Sequence, residues 1–300
     1  MLFASIDIGT NAVRLLFSNV YLRDEQIYAE KASIIRIPIR LGEDVFSINY
    51  ISEEKIDLLL KTMRAFKLLM DVYRPLSYIA CATAAMREAS NSDEVVRRIK
   101  EEVGIDIKVI SGKEEADIVT ASNHVVLKEP FKYKMYVDVG GGSTEISLLN
   151  HQGLVASKSF KIGTIRYLKN KIDEKEWAKM QDWLLEFKKD FGKIYLVGSG
   201  GNINKITKMY GNRDAFMIEK EELMKAYEQL SKLTLADRIE MLGLRPDRAD
   251  VIVPAAIIFI KIMTWIRTEV VYVPKIGLAD GLIYKGYYEY LKNSPVEKFF

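Results

Sequence analysis

Apolar residues alternate or run together in three short stretches near the start of the chain, at 2–8, 12–20 and 26–37, with turns between them. A period of two over such lengths predicts three strands, and the short connections predict antiparallel pairing. The period then changes. After Ser52, Glu53 and Glu54, apolar residues fall at Ile56, Leu59, Leu60, Met63, Phe66 and Leu69. That spacing predicts one face of a helix, opened by a serine cap and stopped at Tyr73-Arg74-Pro75. A buried strand at 77–82 follows, then a helix capped by Asn91 or Ser92 and ended by Gly104, a strand at 105–110, and a helix from Lys113 to about Leu127. The order predicts a mixed sheet with helices packed on it, an α/β arrangement.

Lys128-Glu129-Pro130 is the natural boundary, because the pattern restarts beyond it. Strands are expected at 134–139, 144–150 and 153–160, with helices around 164–170 and 173–190. A strand at 193–197 leads into a helix at 202–210. The last third reads as mainly helical, at 219–232, 235–242 and 247–267. One strand at Val270–Val273 precedes a closing helix from about 278. The expected domains are therefore 1–127 and 128–281, with the terminal helix, about 282–300, packing back on the first.

The restart repeats one device. Leu2 to Phe17 reads LFASIDIGTNAVRLLF, and Met135 to Leu149 reads MYVDVGGGSTEISLL. Each is an apolar run ending in an acid, then a glycine turn, then a second strand. Such a turn leaves backbone N–H groups outward, a nest suited to phosphate. In the second copy, Gly140, Gly141 and Gly142 are costly between strands unless the backbone needs their freedom or a ligand comes close. Asp138 and Glu145 flank the turn, and paired carboxylates beside a phosphate nest suit Mg²⁺. The first copy, Asp7-Ile8-Gly9-Thr10-Asn11 with Arg14 close behind, is ordinary turn chemistry alone and gains weight from the pairing. Gly198-Ser199-Gly200-Gly201 opens a helix, where amides suit a nucleotide or phosphate and close packing explains the glycines equally well. Glu114 and Glu115 sit in the first turn of another helix, where the helix dipole alone favours carboxylates.

Composition narrows the partners. With 44 basic and 41 acidic residues the net charge is only +3, so a general nucleic-acid surface is not expected and an anion site must be local. The single cysteine, Cys81, lies in a strand-like run and reads as a buried structural thiol. His124 and His151 are far apart in sequence, which argues against a histidine metal site. Asp7 arrives early and no basic n-region precedes it, so no signal peptide is expected. The most apolar stretch, Val251 to Ile266, contains Pro254 and Lys261 and falls short of the ~20 residues that span a bilayer, so no membrane span is expected. A cytoplasmic protein is the expectation.

The segments DIGTN, ATAAMREA, VISGKEEA, VDVGGGSTEIS and LVGSGGN, in that order, resemble the exopolyphosphatase and guanosine-pentaphosphate phosphohydrolase family. That family belongs to the superfamily of acetate and sugar kinases, Hsp70 and actin. The resemblance implies two ribonuclease-H-like domains with an active-site cleft between them. It implies Mg²⁺-dependent release of a terminal phosphate from inorganic polyphosphate, or from guanosine pentaphosphate by the same chemistry, in a monomer or homodimer. By resemblance, Glu115 orients or deprotonates the attacking water, and Asp138 and Glu145 hold Mg²⁺. Gly140, Gly141, Gly142 and Ser143 bind phosphate, Asp7, Gly9, Thr10 and Asn11 form the opposing loop, and Arg87 contacts phosphate. Arg14 and Arg40 are candidate basic residues of the cleft, and Gly198, Gly200 and Gly201 a candidate nucleotide or phosphate loop. Ala12 and Ala84 stand where the family more often has serine, which keeps open a sensor of polyphosphate or of a guanosine polyphosphate with little turnover. Gly277-Leu278-Ala279-Asp280-Gly281 lacks the family's basic residue.

Overall fold

The computed structural model describes residues 1–23, 26–121, 133–191 and 194–293. Lys128-Glu129-Pro130, His124 and the ends expected at Leu127 and residue 300 lie outside the described residues. The chain divides into two compact units, Met1–Val125 with Leu278–Phe300, and Val126–Gly277.

The first unit opens with β1 (Leu2–Ile8), β2 (Val13–Arg23) and β3 (Gln26–Ile37), followed by α1 (Leu41–Ile48), α2 (Glu53–Tyr73), β4 (Tyr78–Ala82), α3 (Ala84–Glu88), α4 (Ser92–Val103), β5 (Lys108–Val109) and α5 (Gly112–Ala121). The sheet order is β3-β2-β1-β4-β5. Neighbours among the first three strands are antiparallel, and β4 and β5 run parallel to β1. Ser52 caps α2 by accepting from the Lys55 amide, and Arg74 ends it in the left-handed region. Gly104 ends α4 at φ 75°. Asn91 precedes α4 without capping it, because its side chain exchanges two hydrogen bonds with the backbone of Ile51. The sequence pattern did not reveal α1 or α3, and neither has a side-chain cap to announce it. The expected strand at 105–110 shrinks to β5, although Ile105, Ile107 and Ile110 are still buried.

The second unit contains β6 (Tyr133–Val139), β7 (Thr144–Asn150), β8 (Gly153–Phe160), α6 (Thr164–Leu168), α7 (Glu174–Phe191), β9 (Ile194–Ser199), α8 (Gly201–Tyr210), β10 (Met217–Glu219), α9 (Lys220–Lys232), α10 (Leu235–Glu240), α11 (Pro246–Ala249), α12 (Ile252–Ile266) and β11 (Val270–Tyr272). Its sheet order is β10-β11-β9-β6-β7-β8. Apart from the edge strand β10, this repeats the first sheet: third, second, first, fourth and fifth strands, with the same directions. Each unit is thus a sheet-plus-helix domain of the ribonuclease-H-like, actin-type α/β class. Strand alternation sorts the faces of the second sheet. Met135, Val137, Val139, Ile146 and Leu148 join the main core with Leu184, Ile203, Leu223 and Phe259. Tyr136, Leu149, Tyr195 and Val197 form a smaller cluster. Pro246–Ile266 is long and apolar enough to cross a membrane, but Ile252, Ile258, Phe259, Ile262 and Met263 are buried in this core, which accounts for that composition.

The closing helix, α13 (Leu278–Asn293), belongs to the first unit. Ala279, Ile283 and Tyr287 pack with Phe3, Leu16 and Val20, and the Ser5 hydroxyl donates to the Ala279 carbonyl at 2.7 Å. Gly281 lets α13 meet α5 backbone to backbone. A Cβ there would fall 2.2 Å from the Ile118 carbonyl oxygen, which cannot swing aside as a side chain could. Gly281→Ala is expected to destabilise the protein by roughly 1–3 kcal/mol, the range for overpacking. Gly277→Ala, with open space at its Cβ position, serves as the control. Urea midpoints of the two variants compare them directly, and equal midpoints would refute the close-packing account.

Candidate active site

The β6–β7 hairpin holds its glycine turn by the carbonyls. Gly140 N–H donates to the Ser143 carbonyl and closes the turn. The Gly140 carbonyl accepts from Thr164 N–H at 3.0 Å, and the Gly141 carbonyl from Ile165 and Arg166 N–H at 2.8 and 3.2 Å. The Gly142 carbonyl accepts from Arg166 Nε at 2.9 Å. In a trans peptide the N–H points opposite to the C=O. Anchoring those three carbonyls on the start of α6 therefore turns the amides of Gly141, Gly142 and Ser143 the other way. None of the three amides donates to backbone among the described residues. Three such N–H groups in succession form an anion nest.

Gly163 makes this possible. A Cβ on it would lie 2.4 Å from the Gly141 oxygen and 2.5 Å from the Gly142 carbonyl carbon. Neither Gly163 nor Arg166 stands out in the sequence pattern, because their partners lie about twenty positions earlier. Only the motif's position just ahead of a strand and short helix could have hinted at it.

Sheet register sets the carboxylates beside the nest. Asp138 and Glu145 are direct cross-strand partners, so they share a face. Ser159 pairs with Glu145 on one side, and Ser199 with Asp138 on the other. The result is a polar row, Ser159–Glu145–Asp138–Ser199, across four strands. Glu145 is buried, and its Oε1 accepts from Ser143 Oγ at 2.6 Å and Ser159 Oγ at 2.8 Å. The Ser199 hydroxyl, on a residue 5% exposed, has no hydrogen-bond partner among the described residues. Sequence reading named the glycines around Ser199 and passed over it. Among the described residues no group of three or more Asp, Glu, His or Cys could cage a metal. Two hard carboxylates beside a phosphate nest instead fit Mg²⁺, which takes one or two carboxylates together with phosphate oxygens.

The β1–β2 hairpin uses the same anchoring. The Thr10 carbonyl accepts from Gly42 N–H and the Asn11 carbonyl from Arg40 N–H, each at 3.0 Å, while Gly9 N–H donates to the Ala12 carbonyl. The amides of Asn11 and Ala12 consequently face the opposite side, and the missing hydroxyl at Ala12 leaves its amide in place. Asp7, only 2% exposed, is the cross-strand partner of Arg14 and is bridged by its guanidinium at 2.5 Å. Arg40 sits at φ 58° with Nε on Glu43 at 2.7 Å, and it is its backbone that holds the loop. Cys81, beside Asp7 in register, is buried, and burial pushes its thiol up to about 11, which rules against a nucleophilic thiolate at neutral pH.

At the start of α5, Ser111 Oγ accepts from Glu114 N–H and its carbonyl from Glu115 N–H. The two glutamates then part. Glu114 is bridged by Lys108 at 2.5 Å, and that hydrogen bond holds its carboxyl below the usual range. Glu115 is buried, with Oε2 3.5 Å from Arg87 Nη1, and the same nitrogen donates to the Ile110 carbonyl at 2.7 Å.

The third glycine segment divides by role. Gly198 makes room for Phe259, whose ring would lie 3.0 Å from an added Cβ, so packing explains it. Gly200 sits at φ 109°, where a side chain is strained, and its Cβ position is 3.2 Å from Asp138 Oδ1. Gly201, at the start of α8, is equally close to Arg248.

Two like α/β units, each with an amide nest on its first hairpin and one nest flanked by carboxylates, define an enzyme class that handles phosphoryl groups. Residues 32–288 match the model of the Ppx/GppA phosphatase family, and the chain belongs to that family. It is 32% identical to the bifunctional 3-dehydroquinate synthase/phosphatase of Fusobacterium nucleatum over 94% of this chain and 46% of that protein, so it spans less than half of that relative. It is 24% identical to exopolyphosphatase 1 of Mycobacterium tuberculosis, covering 93% of this chain and 86% of the relative. The exopolyphosphatase structure from Cytophaga hutchinsonii superposes with a TM-score of 0.82 at 23% identity, covering 95% of this chain and 97% of that one. The Ppx/GppA family member of Aquifex aeolicus superposes with a TM-score of 0.73 at 23% identity, covering 99% of each chain. These structures share the fold, and the family matched is one of phosphatases.

Proposed function

We propose that the protein is an exopolyphosphatase that releases the terminal phosphate of inorganic polyphosphate with the help of Mg²⁺. The observation that carries this reading is the carbonyl-anchored nest at Gly141, Gly142 and Ser143, set beside Asp138 and Glu145. Its amides hold the terminal phosphate and need no reorganisation as charge develops on it. The Asn11 and Ala12 amides steady the chain as the lighter clamp. Asp138 and Glu145 would hold the cation, which when bound would supply charge neutralisation to the phosphate. Glu115 orients a water for in-line attack and accepts its proton, and Arg87 fixes the carboxylate.

Phosphate release from long polyphosphate, tripolyphosphate, guanosine pentaphosphate, ATP and p-nitrophenyl phosphate, each with Mg²⁺, tests the reading. Release from the two polyphosphates above the rest is expected. Preference for guanosine pentaphosphate would reassign the substrate while keeping the mechanism. Binding without release would make the protein a sensor, and cleavage of the monoester alone would overturn the phosphoanhydride reading. Asp138→Asn is expected to raise the Mg²⁺ concentration for half-maximal rate at least ~10-fold. A Mg²⁺ titration that superposes on the wild type would remove Asp138 from the metal site.

A further inference from the structure

Two kinds of donor hold the hairpin loops. In the first unit the carbonyls of Thr10 and Asn11 rest on the main-chain amides of Gly42 and Arg40. In the second, the carbonyls of Gly140 and Gly141 rest on the main-chain amides of Thr164, Ile165 and Arg166. Of these carbonyls, only that of Gly142 rests on a cationic side chain, the Nε of Arg166 at 2.9 Å. Arg166 is only 7% exposed, and its backbone is fixed at both ends, by its amide on the Gly141 carbonyl and by its carbonyl on the Lys171 amide at 2.9 Å. Taking a charged group out of water costs free energy that a neutral donor does not incur. As an anchor alone the guanidinium therefore does no more than the amides beside it. What it adds is charge.

That charge acts along the peptide joining Gly142 to Ser143. The oxygen of this peptide faces Arg166, and its N–H, on Ser143, points the opposite way, into the nest. A charge-assisted hydrogen bond draws electron density toward the oxygen and leaves the N–H a stronger donor. The guanidinium also acts directly through space. An anion accepting from the Ser143 amide would stand within about 8 Å of Arg166 Nε, the span of two hydrogen bonds and the peptide between them. Gly142 and Ser143 are both buried, so little water or salt screens that path.

We propose that Arg166 is an electrostatic positioning residue: from behind the loop, without touching the ligand, its charge raises the affinity of the Gly141–Ser143 nest for a phosphoryl group. This rests on the nest as the phosphate site and not on which phosphoanhydride is cut. It goes further than the anchoring described above, because it separates the hydrogen bond that aims the loop from the charge that strengthens it.

Three substitutions in the full chain make the same separation. Glutamine Nε2 stands as many bonds from the backbone as arginine Nε, so Arg166→Gln keeps a donor within reach of the Gly142 carbonyl and drops the charge. Arg166→Lys keeps the charge, and Arg166→Met drops both. Calorimetric titration with inorganic phosphate in the presence of Mg²⁺ reads the affinity, with the thermal midpoint beside it. Arg166→Gln is expected to weaken phosphate binding about tenfold while its midpoint stays close to that of the wild type. Arg166→Lys should recover most of that loss, and Arg166→Met should bind no better than Arg166→Gln. If Arg166→Met fails to fold, the glutamine and lysine variants still decide. Wild-type affinity in Arg166→Gln, or a lysine variant no better than the glutamine one, would make Arg166 an anchor only and overturn the proposal. A wild type that binds no phosphate would remove the nest and the proposal together. A wild type that binds phosphate without cutting polyphosphate would remove the substrate reading alone, and the three variants would still test Arg166.

Discussion

Glu115→Gln is expected to lower turnover of polyphosphate at least ~10²-fold while the protein folds and binds its substrate, as for loss of a general base. The substitution keeps the shape of the side chain and its place in the first turn of α5, where Ser111 accepts from the Glu114 and Glu115 amides. It removes the charge 3.5 Å from Arg87, but Arg87 keeps the Ile110 carbonyl, so the local cost to stability is modest. Glu114 gives the comparison. Its carboxylate is committed to Lys108, so Glu114→Gln should change turnover only a few-fold. Initial rates of phosphate release, with melting curves for both variants, decide the matter. If Glu115→Gln retained turnover within a few-fold of wild type, Glu115 would be no more than the ion-pair partner of Arg87.

Gly163→Ala should also be severe, although Gly163 carries no functional group. Its φ of −147° is open to any residue, so alanine brings no backbone strain of its own. Its methyl group would instead stand 2.4 Å from the Gly141 oxygen and 2.5 Å from two carbonyl carbons of the loop. Backbone must yield, and the backbone that yields is the one that aims the nest. A shift near 1 Å at a positioned group costs about 10²-fold, so kcat/KM should fall by that order. A stability loss of roughly 1–3 kcal/mol should accompany it. The readout is kcat/KM beside the thermal midpoint. Activity within threefold of wild type would mean that the loop does not depend on its seat at α6.

Much of the fold follows from local pattern. The paired hairpins, the serine cap of α2 and the glycine stop of α4 were readable because each involves neighbours in the chain. The elements that escaped were α1 and α3, which are short and carry no side-chain cap, and the three-residue strand β10. The helix expected over 247–267 is α12, buried with apolar residues on most sides, since the core of the second unit surrounds it. At the site, composition and spacing could place Asp138 and Glu145 on one hairpin and Glu115 at a helix start. They could not tell Glu114 from Glu115, because both suit a helix N-terminus, and the distinction comes from which partner each meets: Lys108 or Arg87. Arg14 and Arg40 were both candidate basic residues of the cleft. In the fold Arg14 bridges Asp7, and Arg40 serves the first loop through its backbone amide.

By itself, then, the sequence determined a repeated strand–glycine–strand device, two α/β units, and the motifs of a phosphatase family. Periodicity, turn chemistry and motif order are properties of neighbouring residues, and they survive without any long-range contact. The tertiary structure decided which way the peptide planes of those turns face. It seated the carbonyls of Gly140, Gly141 and Gly142 on α6 and laid Ser159, Glu145, Asp138 and Ser199 in one row. The seat depends on residues brought together from distant positions and the row on strand register, so that a one-residue slip would turn the side chains of the row to the other face.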